Sequence, residues 1–107
     1  MPVADRQALA VPEARASFPA DYLRAFDRGS GAVGQDLRVL TRPWGFDPES
    51  IAVPAWIHHG DAGTTVPLEH ARRFAAATPG ARLHVHPGEG HFSILTTPER
   101  MLAALVA

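Results

Sequence analysis

Two short apolar segments separated by a helix-like segment constrain the fold of this sequence most strongly. The segment IAVPAWIHHG, residues 51–60, is apolar and rich in β-branched residues, and it predicts a buried strand over residues 53–58. Pro54 is expected at the start of that strand or at an unpaired edge position. The segment ARLHVHP, residues 81–87, predicts a second strand.

A helix is predicted between the two strands, because Pro67 suits a first helical turn and an apolar stripe follows it. That stripe consists of Leu68, Ala71, Phe74 and Ala75. The order strand, helix, strand predicts two parallel strands joined by a right-handed crossover. The fold class is therefore predicted to be α/β.

The remaining segments predict helices and turns. The first sixteen residues predict a loose helix, and residues 19–28 a short one. After the glycines at 29–31, an apolar stripe predicts a further helix that Pro43 ends. Its members are Val33, Leu37 and Leu40, and we expect Leu37, Leu40, Trp44 and Phe46 to cover part of the sheet edge. A capping box, Thr96 with Glu99, predicts a last helix with the apolar face Met101, Leu102, Leu105 and Val106.

Length and composition exclude several classes of function. The 107 residues suggest one small domain or a piece of a larger one. A net charge of −1 does not indicate binding to nucleic acid or to an anionic membrane. The absence of cysteine excludes disulfides, thiolate metal sites and a cysteine nucleophile. Neither a membrane span nor a signal peptide is evident, so the cytoplasm is the default expectation.

Ligand chemistry in parallel sheets lies beyond the carboxyl ends of the strands. Two loops of this sequence fall there, at residues 60–66 and 88–92. We therefore expect Asp61 and His91 to lie in facing loops at one edge of the sheet.

These strand ends carry two motifs, V-P-x-x-x-x-H-G at residues 53–60 and P-G-x-G-H-F at residues 87–92. Together they resemble the C-terminal part of an α/β-hydrolase. The segment DLRVLTRPWGF, residues 36–46, resembles esterase- and lysophospholipase-like members, and residues 1–28 more weakly resemble the end of a helical cap. The resemblance implies the C-terminal βαβ-α portion of a hydrolase sheet in residues 51–107, preceded by a cap-like helical segment and linker in residues 1–50.

The resemblance places His91 at the position of the catalytic base of a Ser–His–acid triad. The position of the triad acid falls on Gly63, which has no side chain to orient a histidine. The nucleophile motif G-x-S-x-G is absent from these residues, so the triad is degenerate. Asp61 is a candidate displaced acid if its loop rearranges; the alternative is a turn carboxylate that accepts hydrogen bonds from loop amides.

Three other patterns favour structural roles. Ser93 is expected to act as a cap or surface residue rather than a nucleophile. The glycines of GSGAVG, residues 29–34, follow a helix instead of a strand, so a dinucleotide site is not expected. His84 and His86, with His58 or His59, raise the possibility of zinc, but hydrogen-bonded structural histidines are favoured.

The sequence thus predicts a truncated, esterase-like relative of the α/β-hydrolases that is catalytically incompetent by itself, with no cofactor and no metal. A second chain supplying the missing sheet, or self-association at the sheet edge, is the expected partner. The alternative is a non-catalytic binding or assembly module derived from a hydrolase.

Overall fold

The computed structural model describes residues 1–106, which form five α-helices and a two-stranded parallel sheet. In chain order the elements are α1 (Val3–Ala10), α2 (Pro12–Ala25), α3 (Gly31–Thr41), β1 (Ala55–Gly60), α4 (Leu68–Ala77), β2 (Ala81–His86) and α5 (Pro98–Val106). Short 3-10 turns precede β1 at Pro48–Ser50 and α5 at Ser93–Thr96. The predicted α/β class is confirmed.

The parallel pairing of β1 and β2 is confirmed, with Ala55 opposite Ala81 and Gly60 opposite His86. Strand β1 begins two residues later than the sequence predicted. The ladder begins only after Pro54, which has no N–H to donate. Because the two strands end opposite each other, the loops that follow them leave from the same edge of the sheet.

Prolines set most of the helix boundaries. Val11 is extended and separates α1 from α2, since a residue that precedes a proline avoids the helical region. The predicted helix start at Pro19 is wrong, because α2 begins at Pro12 and runs through Pro19. The predicted end of α3 is confirmed, as Arg42 before Pro43 is extended. The capping-box position is wrong by one residue, since α5 begins at Pro98.

Helix α4 packs on the sheet through the face predicted from the sequence. Ala71 is buried, and Leu68, Phe74 and Ala75 are partly covered. The predicted burial of β1 is only partly met. Its side chains at residues 55–59 are half-buried, because within the described residues the strand has one neighbouring strand instead of two.

The other predicted apolar faces remain uncovered. Leu37 and Leu40 of α3 are exposed, and so are Leu102 and Leu105 of α5. The expectation that α3 and the following aromatic residues cover the sheet edge is wrong. Trp44 and Phe46 are also exposed, and the Trp44 ring lies 6.3 Å from that of Phe74 on α4.

The chain exposes more surface than a folded protein of its size. Its accessible surface is 8063 Å², whereas a monomer of 11.5 kDa is expected to expose about 5,800 Å². The radius of gyration is 16.1 Å, against about 13 Å for a compact domain of this length. Much of the apolar surface therefore lacks a partner within the described chain.

Candidate functional site

The loops after β1 and β2 meet at one edge of the sheet, as predicted from the crossover. The Asp61 N–H donates to the His86 carbonyl at 3.2 Å, and the Ala62 N–H donates to the Glu89 carbonyl at 3.0 Å. These bonds extend the pairing of the strands beyond the sheet. Asp61 and His91 therefore lie in facing loops at the carboxyl ends of adjacent parallel strands, as expected.

Two glycines allow these loops to approach closely. A Cβ atom on Gly60 would overlap the Glu89 carbonyl, so a side chain cannot be accommodated there without moving the backbone. A Cβ atom on Gly63 would lie 3.6 Å from the His91 backbone nitrogen. The position that the resemblance assigns to the triad acid thus adjoins the loop of His91, but Gly63 offers no carboxylate.

The Asp61 carboxylate is engaged within the turn. Its Oδ1 atom accepts a hydrogen bond from the Gly88 N–H at 2.7 Å. Among the described residues its hydrogen bonds do not include one to His91. The geometry is that of a turn carboxylate bound to a loop amide, and a role for Asp61 as a displaced acid stays a prediction.

The His91 side chain is exposed at the mouth of a small cavity. Its imidazole packs edge-to-face on the Phe92 ring, with the ring centroids 5.0 Å apart. The cavity has a volume of about 60 Å³, room for a few water molecules but not for an acyl chain. Its walls include His58, His59, Gly60, Gly63, Gly90 and His91.

Asp5 is the residue of this site that the sequence did not reveal. It belongs to α1, only 1% of it is exposed, and its carboxylate accepts three successive backbone N–H groups of the His91 loop. The His91 N–H donates to Oδ2 at 3.0 Å, while those of Phe92 and Ser93 donate to Oδ1 at 2.8 and 2.9 Å.

The three N–H donors also decide the charge of Asp5. Burial raises the pKa of this carboxyl, but the hydrogen bonds from Ser93, Phe92 and His91 lower it by more than burial raises it. The pKa of Asp5 therefore lies below its ordinary value. Asp5 is therefore an ionised carboxylate at neutral pH. A cap-like acid in a first helical turn gives no signal of a partner more than eighty residues away.

Ser93 is buried, so the expected surface role is wrong. Its hydroxyl accepts the Gly90 N–H at 2.7 Å, and only 5% of the residue is exposed. It stabilises the turn that carries His91 rather than capping α5.

The strand histidines His58 and His86 are hydrogen-bonded to each other, as expected from the sequence. His58 Nδ1 lies 2.9 Å from His86 Nε2, and the His58 ring stacks on His84 at 5.0 Å. One of the two bonded nitrogens must accept, so at least one imidazole is neutral. Burial first, and then the neighbouring His84 and His86, hold the pKa of His58 below its usual range.

Residues 1–106 contain no group of three or more His, Asp or Glu side chains arranged to hold a metal ion. The glycine-rich segment 29–34 follows helix α2 and opens α3, which is the helix start expected from the sequence. None of the helices in the described part of the chain is long and apolar enough to span a bilayer.

Comparison with known proteins finds no relative of this chain. The chain matches no family model, no curated protein and no solved structure.

Proposed function

We propose that this chain is a hydrolase-derived α/β unit that keeps the position of the catalytic base, His91, and is catalytically incompetent by itself. The activity implied by the resemblance is hydrolysis of an ester or a related bond through a serine nucleophile. That activity would require a nucleophile and an acid from outside the 107 residues. The unit itself would contribute the base and the two loops that adjoin it.

One observation carries this proposal: the loops of Gly63 and His91 adjoin at the carboxyl edge of a parallel strand pair. This is where a triad acid and base have to meet, since the acid must reach the imidazole to hold its tautomer. With glycine at that position, the expected acid position offers no carboxylate to orient the imidazole. Loss of the acid alone costs about 10⁴ in turnover in a serine hydrolase.

Three of the four serines have hydroxyls that are engaged with nearby backbone groups. Ser93 is the one nearest to His91 in the sequence, and its hydroxyl accepts the Gly90 N–H in a buried turn. The Ser17 hydroxyl donates to the Glu13 carbonyl within α2, and that of Ser50 donates to the Asp47 carbonyl in a 3-10 turn. These hydroxyls stabilise local backbone.

Turnover of short and medium p-nitrophenyl esters tests the proposal. We expect the purified chain to match its His91→Ala variant and to resist labelling by a fluorophosphonate. An ester rate above that of His91→Ala, a kinetic burst, or a labelled serine would contradict it.

We also propose, as a second candidate, a non-catalytic assembly module. The observation that favours it is the accessible surface of 8063 Å², well above the value of about 5,800 Å² expected for this mass. Chemical crosslinking with mass spectrometry separates the two candidates. Partners that carry a G-x-S-x-G segment against the β1 edge favour a divided hydrolase, whereas self-crosslinks of that edge alone favour an assembly module.

A further inference from the structure

The turn that presents His91 is fixed by a side chain from the opposite end of the chain. Three consecutive N–H groups, those of residues 91–93, converge on the carboxylate of Asp5. Gly90 completes the contact, because a Cβ atom at that position would overlap the Asp5 carboxylate. The turn is therefore shaped around this one carboxylate.

A second contact joins the same turn to the N-terminal helices. The Phe18 ring of α2 meets the Phe92 ring edge-to-face, with centroids 5.3 Å apart. Phe92 in turn supports the His91 imidazole at 5.0 Å. Helices α1 and α2 thus hold the His91 turn through one charged and one aromatic contact.

We propose that Asp5 is a positioning residue for His91, which fixes the backbone from which the imidazole projects and couples its orientation to the docking of α1 and α2. The importance of His91 rests on the proposed function, but the contact itself does not. Displacement of α1 would release three N–H groups and allow the His91 turn to rearrange. The N-terminal helices would thereby control whether the base position is formed.

The charge on Asp5 suits this role. A carboxylate that accepts several N–H bonds binds them about twice as strongly as a neutral acceptor would. Asparagine has the same shape but no charge, and its NH₂ group replaces one of the two acceptor oxygens. At that position a donor would face the backbone N–H donors. Asp5→Asn therefore weakens the hydrogen bonds with little change in packing.

Amide hydrogen exchange, resolved by segment at one fixed protein concentration, tests the proposal. We expect the amides of residues 91–93 to be protected in the unmodified chain and to exchange at least about tenfold faster in Asp5→Asn, as loss of a charged hydrogen bond implies. Because the substitution also lowers the global unfolding free energy, the amides of β1 and β2 will exchange faster as well, but residues 91–93 should lose more protection than the strands do. The control Asp36→Asn, which alters an exposed aspartate of α3, should change neither group.

Two NMR readouts report on the imidazole and on the intact contact. In Asp5→Asn, the ring protons of His91 should move toward the shifts of free histidine as the Phe92 contact loosens, while those of His70 on α4 stay unchanged. In the unmodified chain, the amide protons of residues 91–93 should shift together as the Asp5 carboxyl titrates in acid.

Three results would overturn the proposal. They are unprotected amides at residues 91–93 in the unmodified chain, an equal loss of protection in all segments of Asp5→Asn, and amide shifts that do not follow the titration of Asp5. None of these measurements depends on ester hydrolysis, so failure of the proposed function would be seen separately.

Discussion

At the sheet edge around His91, backbone N–H groups find acceptors within the chain, whereas most large apolar side chains of α2, α3 and α5 are exposed in the part of the chain that the structure describes. The buried Asp5 carboxylate and Ser93 hydroxyl satisfy four N–H groups of one turn. Exposed apolar side chains of the three helices include Tyr22, Leu23, Leu37, Leu40, Leu102 and Leu105. The difference indicates that the polar contacts of the sheet edge are completed within the described residues, whereas much of the apolar surface is left uncovered by them.

This contrast has an energetic meaning. An unsatisfied buried N–H costs about 1–3 kcal/mol, so the loops can pack closely only if their N–H groups have acceptors. An apolar side chain that stays in water carries no comparable penalty. The folded state only lacks the stabilisation that its burial would supply, about 25 cal/mol per Å². A folded sheet edge and an unfinished core can therefore exist in one chain.

The largest effect of a single substitution is expected from Asp5→Asn. It weakens three hydrogen bonds to a buried, charged acceptor, and we expect a loss of about 3 kcal/mol at pH 7. Because the folded-state pKa of Asp5 is lowered, its contribution is present above the unfolded-state pKa and is lost as the pH falls through the folded one. Denaturant titrations of both proteins should thus converge in acid, and a constant difference would contradict the role of the charge.

Gly60→Ala should come next, at about 2 kcal/mol, since overpacking of a close contact costs about 1–3 kcal/mol. The new methyl group would meet the Glu89 carbonyl, which is backbone and cannot move aside freely. Gly34→Ala is the matched control, because no atom lies within 4 Å of its Cβ position inside α3. We expect that control to gain about 0.5–1 kcal/mol from helix propensity. Equal effects at both glycines would show that the sheet edge is not closely packed.

Gly63→Asp should have a smaller, favourable effect. The new carboxylate would adjoin the His91 loop, where a hydrogen bond to the imidazole is worth about 1 kcal/mol. A Cβ atom at this position would lie 3.2 Å from the Gly60 carbonyl oxygen, so Gly63→Ala measures the cost of that contact and Gly63→Asn controls for shape. Equal unfolding free energies for Gly63→Asp and Gly63→Asn would show that a carboxylate at this position does not interact with His91.

The smallest effect is expected from the histidine pair of the sheet. The folded-state pKa of His58 is lowered by burial and by His84 and His86, so its stabilising contribution is present above the unfolded-state pKa and lost as the pH falls through the folded one. Stability should therefore decline on acidification below neutrality, and His58→Gln should reduce that decline. A His70→Gln control on α4 should leave the decline unchanged.

The sequence predicted the sheet and its edge because the signals for both are local. Apolar segments, Pro67 and the glycine turns fix β1, α4 and β2, and parallel pairing follows from chain order. It did not predict Asp5, because the partners of that carboxylate are backbone groups that carry no side-chain identity. It overestimated the burial of β1 and of Leu37, because an apolar stripe indicates which face would be buried but not whether a partner is present.

Light scattering combined with denaturant titration tests the contrast between the two regions most directly. The apolar faces of the helices are uncovered, and one edge of each described strand is unpaired. Because such surfaces favour association, we expect the chain to dimerise, to aggregate, or to become stable only with a partner fragment. A monodisperse monomer at roughly 100 µM that unfolds cooperatively with more than about 5 kcal/mol would contradict this expectation, since it would show that the two-stranded sheet is sufficient by itself.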